Sequence, residues 1–234
     1  MPLSKEKCIL RVNQQERLFL FHRPWYFFGL RLKMKAQHEW KIYRDAMSIK
    51  YEAEYQSWTS KKKKNWEHYL AGFWEGQGSM TVSFKEHKTC KVGYYIDPEV
   101  SLTQNVDGIH LLFWAKCCFK SGRVNLKSGS KDVWVYSLTN RRSIKENFIP
   151  FFEKHMFLWT GKQKTFEVFK DINERFERKE HHTLEGSKEI ARLAYQMNST
   201  EGKNENLWLC QRKRTLSQAL SYMEQSYQDF PASR

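Results

Sequence analysis

The sequence predicts an α+β domain in which helices back one antiparallel sheet. Three observations predict it: two pairs of extended segments that alternate apolar and polar residues, an apolar helical stretch between the pairs, and a run of helical segments after them. The elements then follow in chain order.

Residues 30–64 lack Gly and Pro and repeat Trp40, Tyr43, Met47, Tyr51 and Tyr55 at helical spacing, ending in the charge run Lys61 to Lys64. Two readings of that run stand side by side, a solvated linker and a set of phosphate contacts. Asn65 offers an N-cap for a second helix, WEHYLAGFWEG, which the chain leaves at Gly76 to Gly78. In SMTVSFKE, Met80, Val82 and Phe84 alternate with Ser79, Thr81, Ser83 and Lys85, so one set faces in and the other out. A second strand is expected over Lys91 to Gln104, interrupted at Asp97 and Pro98, where proline removes a ladder donor.

VDGIHLLFWAKCCF reads as a helix, and GRVNLKSGSKDVWVYSLTN as a hairpin turning at Ser128 to Lys131. Its core face is Val124, Leu126, Trp134, Tyr136 and Leu138. Its outward face is Arg123, Asn125, Lys127, Val135, Ser137 and Thr139. Helices are expected near 141–155, 163–179, 186–197 and 214–228.

Composition narrows the function. Forty Lys and Arg against 26 Asp and Glu give a formal charge of +14 over 234 residues, an excess that suits a polyanion shedding counterions, with an anionic membrane surface second. No apolar run approaches the roughly 20 residues of a spanning helix, and mean hydropathy is −0.76. The N-terminus does not combine a charged start, an unbroken apolar stretch and a small-residue cleavage site, so a soluble, unsecreted protein is expected. Five cysteines without CxxC, and no HExxH, speak against a zinc site or a disulfide framework. Phosphate-loop, dinucleotide and serine-hydrolase signatures are absent.

Gly72 and Gly76 lie four apart on one helix face, each costing about 1 kcal/mol of helix propensity. A stripe of small residues lets two helices pack backbone to backbone. Together with the polar end and the strand after it, Leu70-Ala71-Gly72-Phe73-Trp74-Glu75-Gly76-Gln77-Gly78-Ser79 resembles the motif of the LAGLIDADG homing endonucleases. PEVSLTQNVDGIHLL, KSGRVNLKSGS, LTNRRSI and IPFFEK extend the likeness, specifically to algal chloroplast ribosomal-RNA-intron endonucleases, over roughly 66–180.

The resemblance implies the family's fold, with a four-stranded sheet lying on double-stranded DNA and the motif helix at a dimer twofold. Residues 1–65 form an N-terminal helical extension with the basic run, 66–180 the endonuclease core and 181–234 a C-terminal helical extension. With one motif present, it implies a homodimer meeting through Gly72, Phe73 and Gly76 on a pseudo-palindromic site. It implies Mg²⁺-dependent hydrolysis of both strands across the minor groove, Ca²⁺ or Mn²⁺ substituting in the site, and an organellar home, chloroplast before mitochondrion.

By the same likeness the metal position is Gln77, beside the Gly76 carbonyl, the water-organising glutamine is Gln104 and the phosphate-side lysine is Lys162, with Lys164 behind it. A basic residue of the relatives falls at Gly108 and is missing, leaving Arg141 or Arg142 to substitute. The outward sets Ser79, Thr81, Ser83, Lys85, Arg123, Asn125, Lys127, Val135, Ser137 and Thr139, with Arg141 and Arg142, are the expected DNA contacts. Glutamine where a carboxylate belongs implies weak or absent cleavage. The alternatives are a binding-only relative, an RNA-binding intron maturase on the same scaffold, and a basic architectural protein outside the family.

Overall fold

Thr59 decides where the central helix begins. Its side chain accepts from the Lys62 amide, ending α1 (Gln37–Ser57) and starting α2 (Ser60–Gln77). The expected N-cap at Asn65 is therefore corrected by six residues to Thr59, and Lys61 to Lys64 become the first turns of α2 rather than a linker. Four lysines oppose the positive end of a helix dipole. Lys62 over the Trp58 ring at 4.2 Å and Lys63 over Tyr55 at 5.3 Å offset part of that. The run also sits at the far end of α2, roughly 24 Å from Gln77 at 1.5 Å per residue.

The computed structural model describes residues 37–130, 132–155, 160–197 and 215–230. After α2 come β1 (Gly78–Glu86), β2 (Tyr94–Asn105), a 3-10 turn (Val106–Gly108), α3 (Ile109–Cys118), β3 (Arg123–Leu126) and β4 (Val133–Leu138). A helical stretch, α4, follows as Arg141–Ser143, a π-helical turn Ile144–Phe148 and Ile149–Lys154. Then come α5 (Thr160–Glu177), a turn at Glu180–His182, α6 (Leu184–Gln196) and α7 (Leu216–Gln228).

The expected α+β architecture is found: one antiparallel sheet in the order β1-β2-β4-β3. Val124, Trp134, Tyr136 and Leu138 are buried on the inner face with Leu126 packed against them. Of the expected hairpin turn, Lys131 lies outside the described residues.

Asp97 and Pro98 do not interrupt β2, contrary to expectation. Pro98 pairs with Val82 on β1, while β4 joins β2 only from Val100 onward. Backbone groups alternate sides along a strand, and the Ile96 carbonyl two residues earlier is taken from the β4 side by Arg141 Nη2 at 2.7 Å. Pro98 nitrogen therefore faces the stretch where no strand lies, and no ladder bond is lost.

The terminal helices share the core instead of standing apart from it. Met47 on α1 and Ile190, Ala191 and Ala194 on α6 join the cluster that holds Trp74 and Phe152. Phe84 packs on Tyr195 and Tyr94 on Tyr222 at the β1–β2 end.

Candidate nucleic-acid interface

The side of the sheet away from the core is built by strand alternation alone. Across its rungs lie Ser79, Ser101, Ser137 and Arg123; Thr81 and Glu99; Ser83 and Asp97; Lys85 and Tyr95; and Thr103, Val135 and Asn125. None is buried, and of the described helices α1 reaches this face at its β3 edge, through Arg44. It is a polar surface wide enough for several base-pair edges.

The expected contacts from β1, β3 and β4 all lie on this face or at its strand ends. Reading β2 as broken missed Tyr95, Asp97, Glu99, Ser101 and Thr103. Their signal was present, since Tyr94, Ile96, Pro98, Val100 and Leu102 alternate with them without a slip.

The face is not uniformly basic. Lys85 Nζ is 3.8 Å from Asp97 Oδ2. Burial pushes the Glu99 carboxyl above its ordinary range, with Lys85 opposing and Asp97 adding to the rise. Thr81 and Ser83 hydroxyls donate to the Glu99 and Asp97 carbonyls. At the open β3 edge, Arg44 Nη1 of α1 donates to Asn125 Oδ1 at 3.0 Å.

The end of α2 gathers the residues expected for chemistry. Gly78 is buried against Trp74, and a Cβ there would lie 2.1 Å from the indole Cδ1. Lys162 Nζ donates to the Gly78 carbonyl at 2.6 Å. Burial pushes that ammonium below the usual lysine range, and the Glu75 carboxylate opposes the shift. So Lys162, 84 residues away in sequence, is brought beside the motif.

Gln104 is on the same sheet end, because Gly78 opposes Leu102 in the register. Its Oε1 accepts from the Asn105 amide at 2.9 Å. A Cβ on Gly108 would meet its side chain at 2.9 Å, so the turn leaves the missing basic residue no room while Gln104 holds this rotamer.

Arg141 does not substitute there. Its Nη2 holds Ile96, eight residues along β2 from Gln104, or roughly 26 Å at strand rise. Its Nη1 meets His181 at 3.3 Å, and its guanidinium lies 4.1 Å over Phe176. Arg142 pairs with Glu146 at 2.9 Å on an exposed helix surface.

Gln77 is exposed, with the Gly76 carbonyl next to it. Magnesium prefers anionic oxygens, and residues two apart on a helix point roughly 160° apart. Glu75 is accordingly buried on another side of α2, near Lys162. Among the described residues no group of three His, Cys, Asp or Glu is placed to hold a metal. A neutral amide and a carbonyl do not fit a divalent cation unaided.

Among the described residues, Tyr69, Gly72 and Gly76 leave the outer face of α2 exposed. Tyr69 is 52% exposed and stacks on Phe73 with centroids 5.9 Å apart. A Cβ on Gly72 or Gly76 would meet nothing within 4 Å. Among the described residues no helix is long and apolar enough to cross a membrane.

The LAGLIDADG endonuclease profile matches residues 70–173. DNA endonuclease I-CeuI of Chlamydomonas moewusii is 40% identical over 119 residues, which are 50% of this chain and 55% of that protein. The chain thus spans little more than half of that relative. Among solved structures it is similar to the archaeal intron-encoded homing endonuclease I-Vdi141I complexed with DNA, with TM-score 0.60, 28% identity, and 70% of this chain and 98% of that chain covered. It is also similar to the group I intron-encoded homing endonuclease I-CeuI complexed with DNA, with TM-score 0.59, 32% identity and 72% and 87% covered.

Proposed function

Because the chain belongs to the LAGLIDADG endonuclease family, we propose that it is a homodimeric, organellar protein that binds a long pseudo-palindromic DNA site. Chloroplast is the first compartment to test. The observation that carries the reading is the four-strand face away from the core, with a polar side chain on every rung and no residue of it buried. Strands laid in a major groove present such side chains to base edges, and contacts there carry sequence information that phosphate contacts do not. The bare Gly72–Gly76 side of α2 supports the dimer.

The family's reaction is hydrolysis of both strands across the minor groove, and a divalent cation, Mg²⁺ first, would supply charge neutralisation at the phosphates if Gln77 and the Gly76 carbonyl held it. In this chain Lys162 brings a cation to the end of α2 and Gln104 a polar amide to the same sheet end. Gln77 brings no negative charge. Binding therefore persists while cleavage is weak, because affinity draws on the sheet and the phosphates and not on the helix end.

The test compares the Gln77 protein with a Gln77→Glu version for DNA binding and cleavage in Mg²⁺. Equal affinity, with cleavage higher by orders of magnitude in the glutamate version, is expected. Brisk double-strand cleavage by the Gln77 protein would overturn the assignment.

A further inference from the structure

Arg44 lies outside the segment matched by the family profile, on a helix that the motif reading does not use, yet it ends at a residue of the reading face. We propose that Arg44 is a positioning residue that fixes the Asn125 amide and so makes Asn125 select a keto base, guanine or thymine, over adenine. The proposal rests on the sheet face being the DNA-reading surface.

A guanidinium can only donate. It has five N–H donors and no acceptor. The group it meets on Asn125 must therefore be the carbonyl oxygen, whichever way an unconstrained amide would turn. Arg44 Nη1 donates to Asn125 Oδ1 at 3.0 Å, across 81 residues of sequence. Arg44 is itself held, since Nε and Nη2 both donate to Asp45 Oδ1 at 3.1 Å. Its fork is thus clamped at both ends.

Asn125 lies on β3, the edge strand, facing away from the core and opposite Val135 of β4. An unconstrained asparagine reads adenine with both halves of its amide, the oxygen accepting from N6 and the nitrogen donating to N7. Here the oxygen is turned to a cation. A second lone pair remains, but an N6 amino hydrogen approaching it also approaches the guanidinium, and like partial charges oppose that. What Asn125 presents outward is the NH₂, two donors. The major-groove edges that offer acceptors without an amino donor are guanine, with N7 and O6, and thymine, with O4.

The same geometry gives α1 a task in recognition. It packs beside α3, with Tyr43 against Trp134 at 5.9 Å and Lys116 Nζ donating to Ser48 Oγ at 2.8 Å. Those contacts anchor the helix that carries Arg44.

The experiment selects bound sequences from a library randomised over one half-site, using the full chain and the variants Asn125→Ala, Arg44→Met, Arg44→Lys and Asn125→Ala with Arg44→Met. Asn125→Ala should erase preference at one base pair, and the unaltered protein should hold guanine or thymine there. At that pair Arg44→Met should move the preference toward adenine by about tenfold, within the range of one good base contact. Arg44→Lys retains a donor and should keep the keto base, and the double variant should match Asn125→Ala. Preference at the other base pairs should not move, which a general loss of folding would not reproduce. If Arg44→Met keeps the keto base, or the unaltered protein selects adenine or cytosine there, the proposal is overturned. If Asn125→Ala changes nothing while Arg123→Ala relaxes a base pair, the face reads DNA but Asn125 does not, and the proposal fails alone. If neither variant alters any preference, the reading of the sheet fails with it.

Discussion

Gly78 and Gly72 are six residues apart in one motif and constrain the chain in opposite ways. Gly78 has φ −77° and ψ 151°, open to any residue, so space and not conformation requires glycine there. The neighbour is Trp74, 0% exposed and hemmed by Phe148 at 5.1 Å, Phe119 at 5.6 Å and Phe152 at 5.7 Å. An indole in that position cannot swing away without pushing rings through the core. Gly78→Ala should therefore lower the unfolding free energy by about 1–3 kcal/mol, the usual cost of overpacking. At Gly72 an added methyl meets nothing in the isolated chain. Gly72→Ala should raise monomer stability by up to about 1 kcal/mol, the helix-propensity difference. Denaturant unfolding at a concentration where the chain is monomeric checks both, and equal effects of one sign would contradict the packing argument.

At the scale of elements, the join between the sheet and the C-terminal helices has its own pH response. The turn Glu180–His182 places His181 between Arg141, Phe176 and His182. Burial first, then the His182 and Arg141 charges, hold His181 down at about 4 from an ordinary 6.5. The unfolded chain takes up a proton near pH 6.5 that the folded chain refuses until about 4, so this group costs stability as pH falls through that window. His181→Gln should flatten the fall in Tm between pH 6.5 and 4, and an unchanged slope would remove His181 from the join. How legible such elements were depended on the range of the forces involved. Alternation along β1, β3 and β4 is local, and it was read correctly. The start of α2 was misplaced because Thr59 and Asn65 are both good caps by type. The difference is made by the aromatic seat under Lys62 and Lys63, where Trp58 lies 4.7 Å from Trp114 of a later helix. Asp97-Pro98 looked like a break because which side of β2 lacks a neighbour depends on where β4 ends. Lys162 stands out in the sequence only through likeness to a family, and its contact with Gly78, like Arg44–Asn125, has no sequence signal at all.

For the whole molecule, the decisive quantity is whether two chains act on one DNA. A chain of +14 already gains from counterion release, and a dimer brings twice that charge to one site, with a correspondingly steeper salt dependence. The face that would join the chains is Tyr69, Gly72, Phe73 and Gly76, at positions i, i+3, i+4 and i+7 along α2. Half-exposed aromatics beside open glycines leave a groove that, in the proposed dimer, a second copy of the helix would fill at close backbone distance. Gly76→Leu tests this cleanly, because its Cβ meets nothing within 4 Å in the single chain. Monomer folding should be unharmed, and helix propensity alone makes it slightly more stable. Between two chains the same side chain stands where the helices must touch, and it should hold them apart. Sedimentation should then show a folded monomer. DNA binding should fall toward that of one half-site, with a shallower salt slope and no change in which bases that half-site selects. A Gly76→Leu protein that sediments as an intact dimer would place the interface elsewhere on the chain, and a monomer that lost its base preference as well would tie reading to assembly.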